Sequence, residues 1–233
     1  MRAPRLLWPT EVDEPRAVVL VLHGGKSRSN RRVRAWQGAV LRMAPFASAV
    51  ADAGEGAIAV ASIRYAVRGW NGAKANPVAD TRLALEQIAA KFPGVPIGLL
   101  GHSMGGRVAL HLADDERVSA IVALAPWLEP HDRARGHRGL HALFMHGTLD
   151  RMTSPRASRA MASAMADLGV DVTYDGVKGE SHAMLRQAAR WHRESAAFLA
   201  IHLLASTEGV EGGQAFPNPL PRPSSPPGTP WGA

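Results

Sequence analysis

Cysteine is absent from the 233-residue chain. That excludes disulfides, a thiol nucleophile and any thiolate metal site, although it fixes no compartment. No apolar run is long enough to span a bilayer. Near the start only Leu6–Trp8 follows the basic Arg2 and Arg5 before Pro9. No signal-peptide core is present there, and a cytoplasmic location is expected. The ten histidines show no H-E-x-x-H or comparable ligand spacing, so neither a metal nor another cofactor is expected. The loop "HGGKS" (His23–Ser27) lacks the G-x-x-x-x-G-K-[ST] spacing, which excludes a nucleotidase or kinase of that type. Internal repeats and nucleic-acid-binding motifs are also missing. Net charge is +7, but arginine far outnumbers lysine, and an arginine-rich composition accounts for such an excess without a nucleic-acid partner.

What is present is enough sequence for one substantial core, with ordinary globular composition. Six segments read as buried strands: Ala17–Gly24, Ala57–Tyr65, Pro96–Gly101, Ser119–Pro126, Leu140–Gly147 and Val170–Gly176. Most are continuous apolar runs rather than alternating ones, as expected of strands covered on both faces. Helical patterns separate them. Pro45 opens a helix with Phe46, Ala47 and Val50 inward, and Gly54 ends it. A second pattern runs over Pro77–Phe92 with Leu85, Ile88, Ala89 and Phe92 on one stripe, and a third over Ser103–Ala113. Ser154–Pro155 caps a fourth, lined by Met161, Met165 and Leu168; the last spans Met184–Leu204, with Ala188, Trp191 and Phe198 at helical spacing. Alternating strands and helices predict an α/β fold in three layers, with a mainly parallel sheet and helices on both faces. Residues 1–205 form this domain. Residues 206–233 carry seven of the seventeen prolines and read as a disordered or extended tail.

The segment "GLLGHSMGGRVALHLA" (Gly98–Ala113) joins a strand to a helix through G-x-S-x-G. In that motif the serine occupies a sharp, strained turn that lifts its hydroxyl above the sheet edge. Gly101 and Gly105 leave room where β-carbons would strike the adjacent strand and helix. The N–H of Met104, at the helix start, can face a developing oxyanion. A serine hydroxyl needs a base, and the base an orienting carboxylate. Asp150 follows one strand in "FMHGTLDRMTSP", and His182 lies in "KGESHAML" between the last strand and the last helix. Glu129 and Asp132 follow another strand, but their loop, "WLEPHDRARGHRG", reads as solvated, so Asp150 is preferred.

With "HGG" (His23–Gly25), "GHSMGG" (Gly101–Gly106), "HGTLD" (His146–Asp150) and "ESHAML" around His182 in that order, the chain resembles the α/β-hydrolase superfamily over about Ala17–Leu204. It is most similar to the small branch of dienelactone-hydrolase-like and carboxylesterase-like proteins. The resemblance implies Ser103 as nucleophile, His182 as base and Asp150 as acid, with the amides of Gly25 and Met104 as oxyanion hole. It further implies a serine hydrolase of small esters working through an acyl-enzyme. Thioesterase, acyltransferase, peptidase or perhydrolase chemistry with the same triad are alternatives, as is a non-catalytic binding protein on the same scaffold. Only about fifteen residues separate the strands ending near Ala125 and starting near Leu140, so no lid domain is expected and the cleft should be open. Trp36, Trp70 and Trp127 are candidates to line a substrate pocket. Two basic loops, Lys26–Arg34 and His131–Arg138, would steer anionic substrates if both rim that cleft, and are otherwise solvated loops.

Overall fold

A computed structural model describes residues 3–9 and 12–205 of the chain. The proline-rich segment 206–233 lies outside the described residues. The strands are β1 (Arg5–Leu7), β2 (Ala17–Leu22), β3 (Ile58–Arg64), β4 (Ile97–His102), β5 (Val118–Leu124), β6 (His141–Gly147) and β7 (Asp171–Val177). The helices are α1 (Gly38–Leu41), α2 (Ala44–Ala53), α3 (Asn76–Lys91), α4 (Met104–His111), α5 (Pro155–Asp167) and α6 (Ala188–Leu204). One seven-stranded sheet runs in the order β1-β3-β2-β4-β5-β6-β7. Every pairing is parallel except that of β1 with β3.

The apolar runs explain the central strands. All residues of β2 and β4 are buried, because side chains pointing to either face meet a helical layer. One core unites Leu20, Leu99 and Phe144 of the sheet with Leu85 of α3, Val108 of α4 and Met165 of α5. The other joins Val19, Leu100 and Leu143 to Phe46 and Val50 of α2 and Trp191 and Phe198 of α6. Helices therefore cover both faces, as the strand–helix alternation predicts.

Local signals place most helix ends. Pro45 occupies the first turn of α2, and Gly54 is its C-cap. The Ser154 hydroxyl accepts from the Ala157 N–H at 3.1 Å and caps α5, with Pro155 in the first turn. One strand lies outside the six expected, and two expectations need correction. The edge strand β1 escapes a reading based on periodicity, since its three residues are held by backbone pairing with Ser62–Arg64. Leu168 is half exposed; α5 buries Ser158, Ala162 and Met165 instead. The last helix starts at Ala188 rather than Met184, because Met184 has φ of 55° and lies within a loop that runs to Gln187. Between β5 and β6, residues 125–140 hold neither helix nor strand, so no lid is folded there. No helix among the described residues is long and apolar enough to cross a membrane.

Candidate active site

Parallel strands present all their carboxyl ends at one margin, where loops converge. Ser103 sits at that margin between β4 and α4, with φ 56° and ψ −113°. Such a conformation is strained for a residue with a β-carbon, and it persists only where the surroundings impose it. The surroundings are visible. The Ser103 N–H donates to the Leu124 carbonyl at 2.9 Å, and its own carbonyl accepts from Trp127 and Arg107 amides. A β-carbon at Gly101 would lie 2.3 Å from the Gly105 carbonyl oxygen, and one at Gly105 would lie 2.2 Å from that of Leu22. Only glycine at both positions lets strand and helix close this tightly around the turn.

The Ser103 hydroxyl makes no capping bond to α4, and Ser103 is partly accessible. Gly25 is exposed, and a β-carbon there would strike the Met104 side chain. The two residues expected to supply oxyanion amides are thus neighbours. Neither amide has a hydrogen-bond partner among the described residues.

Asp150 and His182 meet. His182 Nδ1 donates to Asp150 Oδ2 at 2.7 Å, which leaves Nε2 with its lone pair. Asp150 is buried, and burial alone would raise its pKa. Hydrogen bonds from His146, His182 and Thr153 outweigh that penalty and hold the carboxyl far below the ordinary range. The Thr153 hydroxyl donates to Oδ2 at 2.7 Å, and the Met152 and Thr153 amides donate to Oδ1 at 2.8 and 3.0 Å. His146 Nε2 lies 3.2 Å from Oδ2.

The loop that carries His182 is braced from three sides. Buried Glu180 accepts from the amides of Ser181 and Gln187, both at 2.8 Å. Arg42 donates to the Ala183 carbonyl. His102, beside Ser103, donates Nε2–H to the His182 carbonyl at 3.1 Å, and the two rings lie 4.7 Å apart. The hydrogen bonds of the His182 ring run to Asp150 and Thr153; among the described residues none reaches Ser103. Free enzymes commonly leave the serine–histidine bond long until substrate binds.

Other candidates are placed differently. The loop after β5 is not simply solvated. Arg107, fully buried on α4, pairs with Asp132 and Glu129, each at 2.9 Å, and the Asp132 side chain is only 2% exposed. His111 also bonds Asp132 at 2.9 Å. Both carboxylates are committed to this cluster and none of their hydrogen bonds goes to His182, so it is Asp150 that meets the candidate base. Trp70 and Trp127 stack on the Arg107 guanidinium, at 4.0 and 4.6 Å from the ring centroids. Trp70 is enclosed, so its ring belongs to the core; Trp127 is half-buried. Trp36 is 68% exposed. Thr153, His146, Glu180 and Arg42 escape the sequence reading. The "D-x-x-T" spacing after β6 was the one available hint, since a turn lets that hydroxyl return to the carboxylate.

The sheet order, the glycine-packed elbow and the lidless margin are those of α/β serine hydrolases. Residues 13–142 match the model of the family described as serine aminopeptidase, S33 (Hydrolase_4), and the chain belongs to that family. The match includes Ser103 and stops short of Asp150 and His182. No curated protein matches the sequence significantly. Among solved structures, a serine hydrolase without a lid from Xanthomonas campestris is similar at 18% identity and TM-score 0.60, covering 84% of this chain and 87% of that one. The esterase Est1E from Butyrivibrio proteoclasticus is similar at 14% identity and TM-score 0.62, covering 86% and 94%; it has also been solved with ferulic acid bound. An α/β serine hydrolase homologue from Coxiella burnetii gives 15% identity and TM-score 0.58, covering 83% and 89%. At these identities the likeness is one of fold.

Proposed function

We propose that the protein hydrolyses small esters through an acyl-enzyme formed on Ser103. The observation that carries this reading is the 2.7 Å contact of His182 with Asp150 at the sheet margin that also bears the strained Ser103. Ser103 Oγ attacks the ester carbonyl carbon as its proton passes to His182 Nε2. The carbonyl π electrons move to oxygen, where the amides of Gly25 and Met104 stabilise the charge. Collapse breaks the bond to the alcohol, which leaves with the proton from His182. Water then repeats the sequence, giving the acid and free Ser103. Asp150 fixes the ring so that Nε2 faces the serine, and it stabilises the imidazolium.

Small or surface-presented esters are favoured over deeply buried chains, because residues 125–140 fold no lid and the candidate oxyanion site is open to solvent at Gly25. The family description favours a second reading, removal of amino-terminal residues from peptides. Release of p-nitrophenol from its acetate, beside release of naphthylamine from aminoacyl-naphthylamides, separates the two. The ester should turn over with an initial burst that disappears in Ser103→Ala. An unchanged burst in that variant would place the nucleophile elsewhere.

A further inference from the structure

We propose that an arginine-lined groove beside the candidate oxyanion amides binds phosphate, and that phosphate-bearing esters are the substrate class of this site. The inference rests on the hydrolase reading above and deepens it. The groove, about 740 Å³, is lined by Arg31, Arg32, Arg34 and Arg68 together with Trp36. A second cavity of about 300 Å³ is lined by Gly24 and Gly25. Arg68 and Gln37 line both, so the cavity that Gly25 lines adjoins the arginine groove. Among the described residues no carboxylate lines either cavity.

The charge is assembled rather than scattered. The Arg68 N–H donates to the Arg31 carbonyl at 2.9 Å, and the Lys26 N–H donates to the Arg68 carbonyl at 2.9 Å. Asn71 accepts from the Ser29 amide at 2.9 Å, and Val33 is buried beneath the loop. The backbone therefore pins the loop after β2 to the loop after β3 and holds their like charges together, against their repulsion. None of these four guanidinium groups has a carboxylate partner among the described residues. By contrast Arg107, Arg117, Arg135 and Arg190 are all paired. Several unpaired planar forks around one concavity suit a dianion with three equivalent oxygens better than a single carboxylate. Beside them the Arg34 guanidinium lies 5.2 Å from the exposed Trp36 ring, a surface on which a planar group can stack.

The test compares matched esters at low ionic strength. 4-Acetoxyphenyl phosphate carries phosphate on the alcohol side, and phenyl 3-phosphonopropionate carries a related dianion on the acyl side; phenyl acetate and phenyl propionate are their neutral partners. One anionic ester should exceed its partner in kcat/KM by about tenfold, since exposed charge pairs contribute modestly each. The preference should vanish in the triple variant Arg31→Ser/Arg32→Ser/Arg34→Ser and shrink toward 0.5 M salt, with neutral esters unaffected. Which ester is preferred shows which side of the bond enters the groove. Equal rates for every pair, or a preference that survives the triple variant, would overturn the proposal. Should the triple variant fail to fold, Arg34→Ser alone should lose part of the preference. If no ester turns over, the hydrolase reading fails, and calorimetric titration with phenyl phosphate still decides the groove: binding lost in the variant supports it, and no binding overturns it.

Discussion

Lowering the pH from 8 to 5 should destabilise the fold by about 4 kcal/mol, through His23 and His102 alone. Both rings are buried at the candidate site. Burial is the main cause that lowers His23 to about 4, with Arg64 adding to it against a hydrogen bond to the Gly24 carbonyl. Burial likewise lowers His102 to about 3, and the adjacent His182 adds to the effect. His102 Nδ1 has no acceptor in its buried setting, so a proton placed there would be unsatisfied. Depressed values mean that the unfolded chain takes up protons first. Stability is therefore full above the unfolded value near 6.5 and falls as pH drops toward 4 and 3. At pH 5 the native rings are still neutral, while each unfolded ring has gained about 2 kcal/mol from protonation. A loss of about 4 kcal/mol is a large share of a typical stability of about 5–15 kcal/mol. Urea unfolding at pH 8 and pH 5, followed by circular dichroism, measures it directly. His102→Gln should show a pH-dependent loss smaller by about 2 kcal/mol. A native loss under about 1 kcal/mol, or an unchanged loss in His102→Gln, would refute the reasoning.

Three further outcomes follow from the geometry. Asp150→Asn should keep the fold and lower kcat by about 10⁴, because the amide no longer selects the required ring tautomer; retained turnover would remove Asp150 from the site. Asp132→Ala should leave the buried Arg107 with Glu129 as its remaining carboxylate partner, at a cost of about 1.5–3 kcal/mol in urea unfolding; a stability near that of the native protein would show that the cluster is dispensable. Gly105→Ala should destabilise by about 1–3 kcal/mol or more, since the new β-carbon meets the backbone of Leu22 rather than a movable side chain; an unchanged thermal midpoint would contradict the packing described.

Much of the scaffold was legible because β2 through β7 and α2 through α6 are governed by local rules. Continuous apolar runs mark two-sided burial, and proline, serine and glycine mark helix ends at Pro45, Gly54 and Ser154. What escaped depends on contacts distant in sequence. β1 has three residues and pairs through its backbone, so side-chain pattern says little about it. The loop carrying Glu129 and Asp132 is polar in composition, yet it folds onto Arg107, whose burial in α4 no periodicity discloses. The Asp150–His182 contact was inferable from their positions after β6 and β7. The supports from Thr153, Glu180 and Arg42 were not, because a hydroxyl, a buried carboxylate and a guanidinium gain their roles only once the loops meet.

The central claim, that Ser103 is a nucleophile activated by His182, is tested most directly by intact-mass analysis after reaction with a fluorophosphonate probe. One adduct should form, map to the peptide containing Ser103 and disappear in a folded Ser103→Ala variant, while His182→Ala slows its formation severely. An adduct at another residue, or labelling as fast without His182 as with it, would contradict the claim.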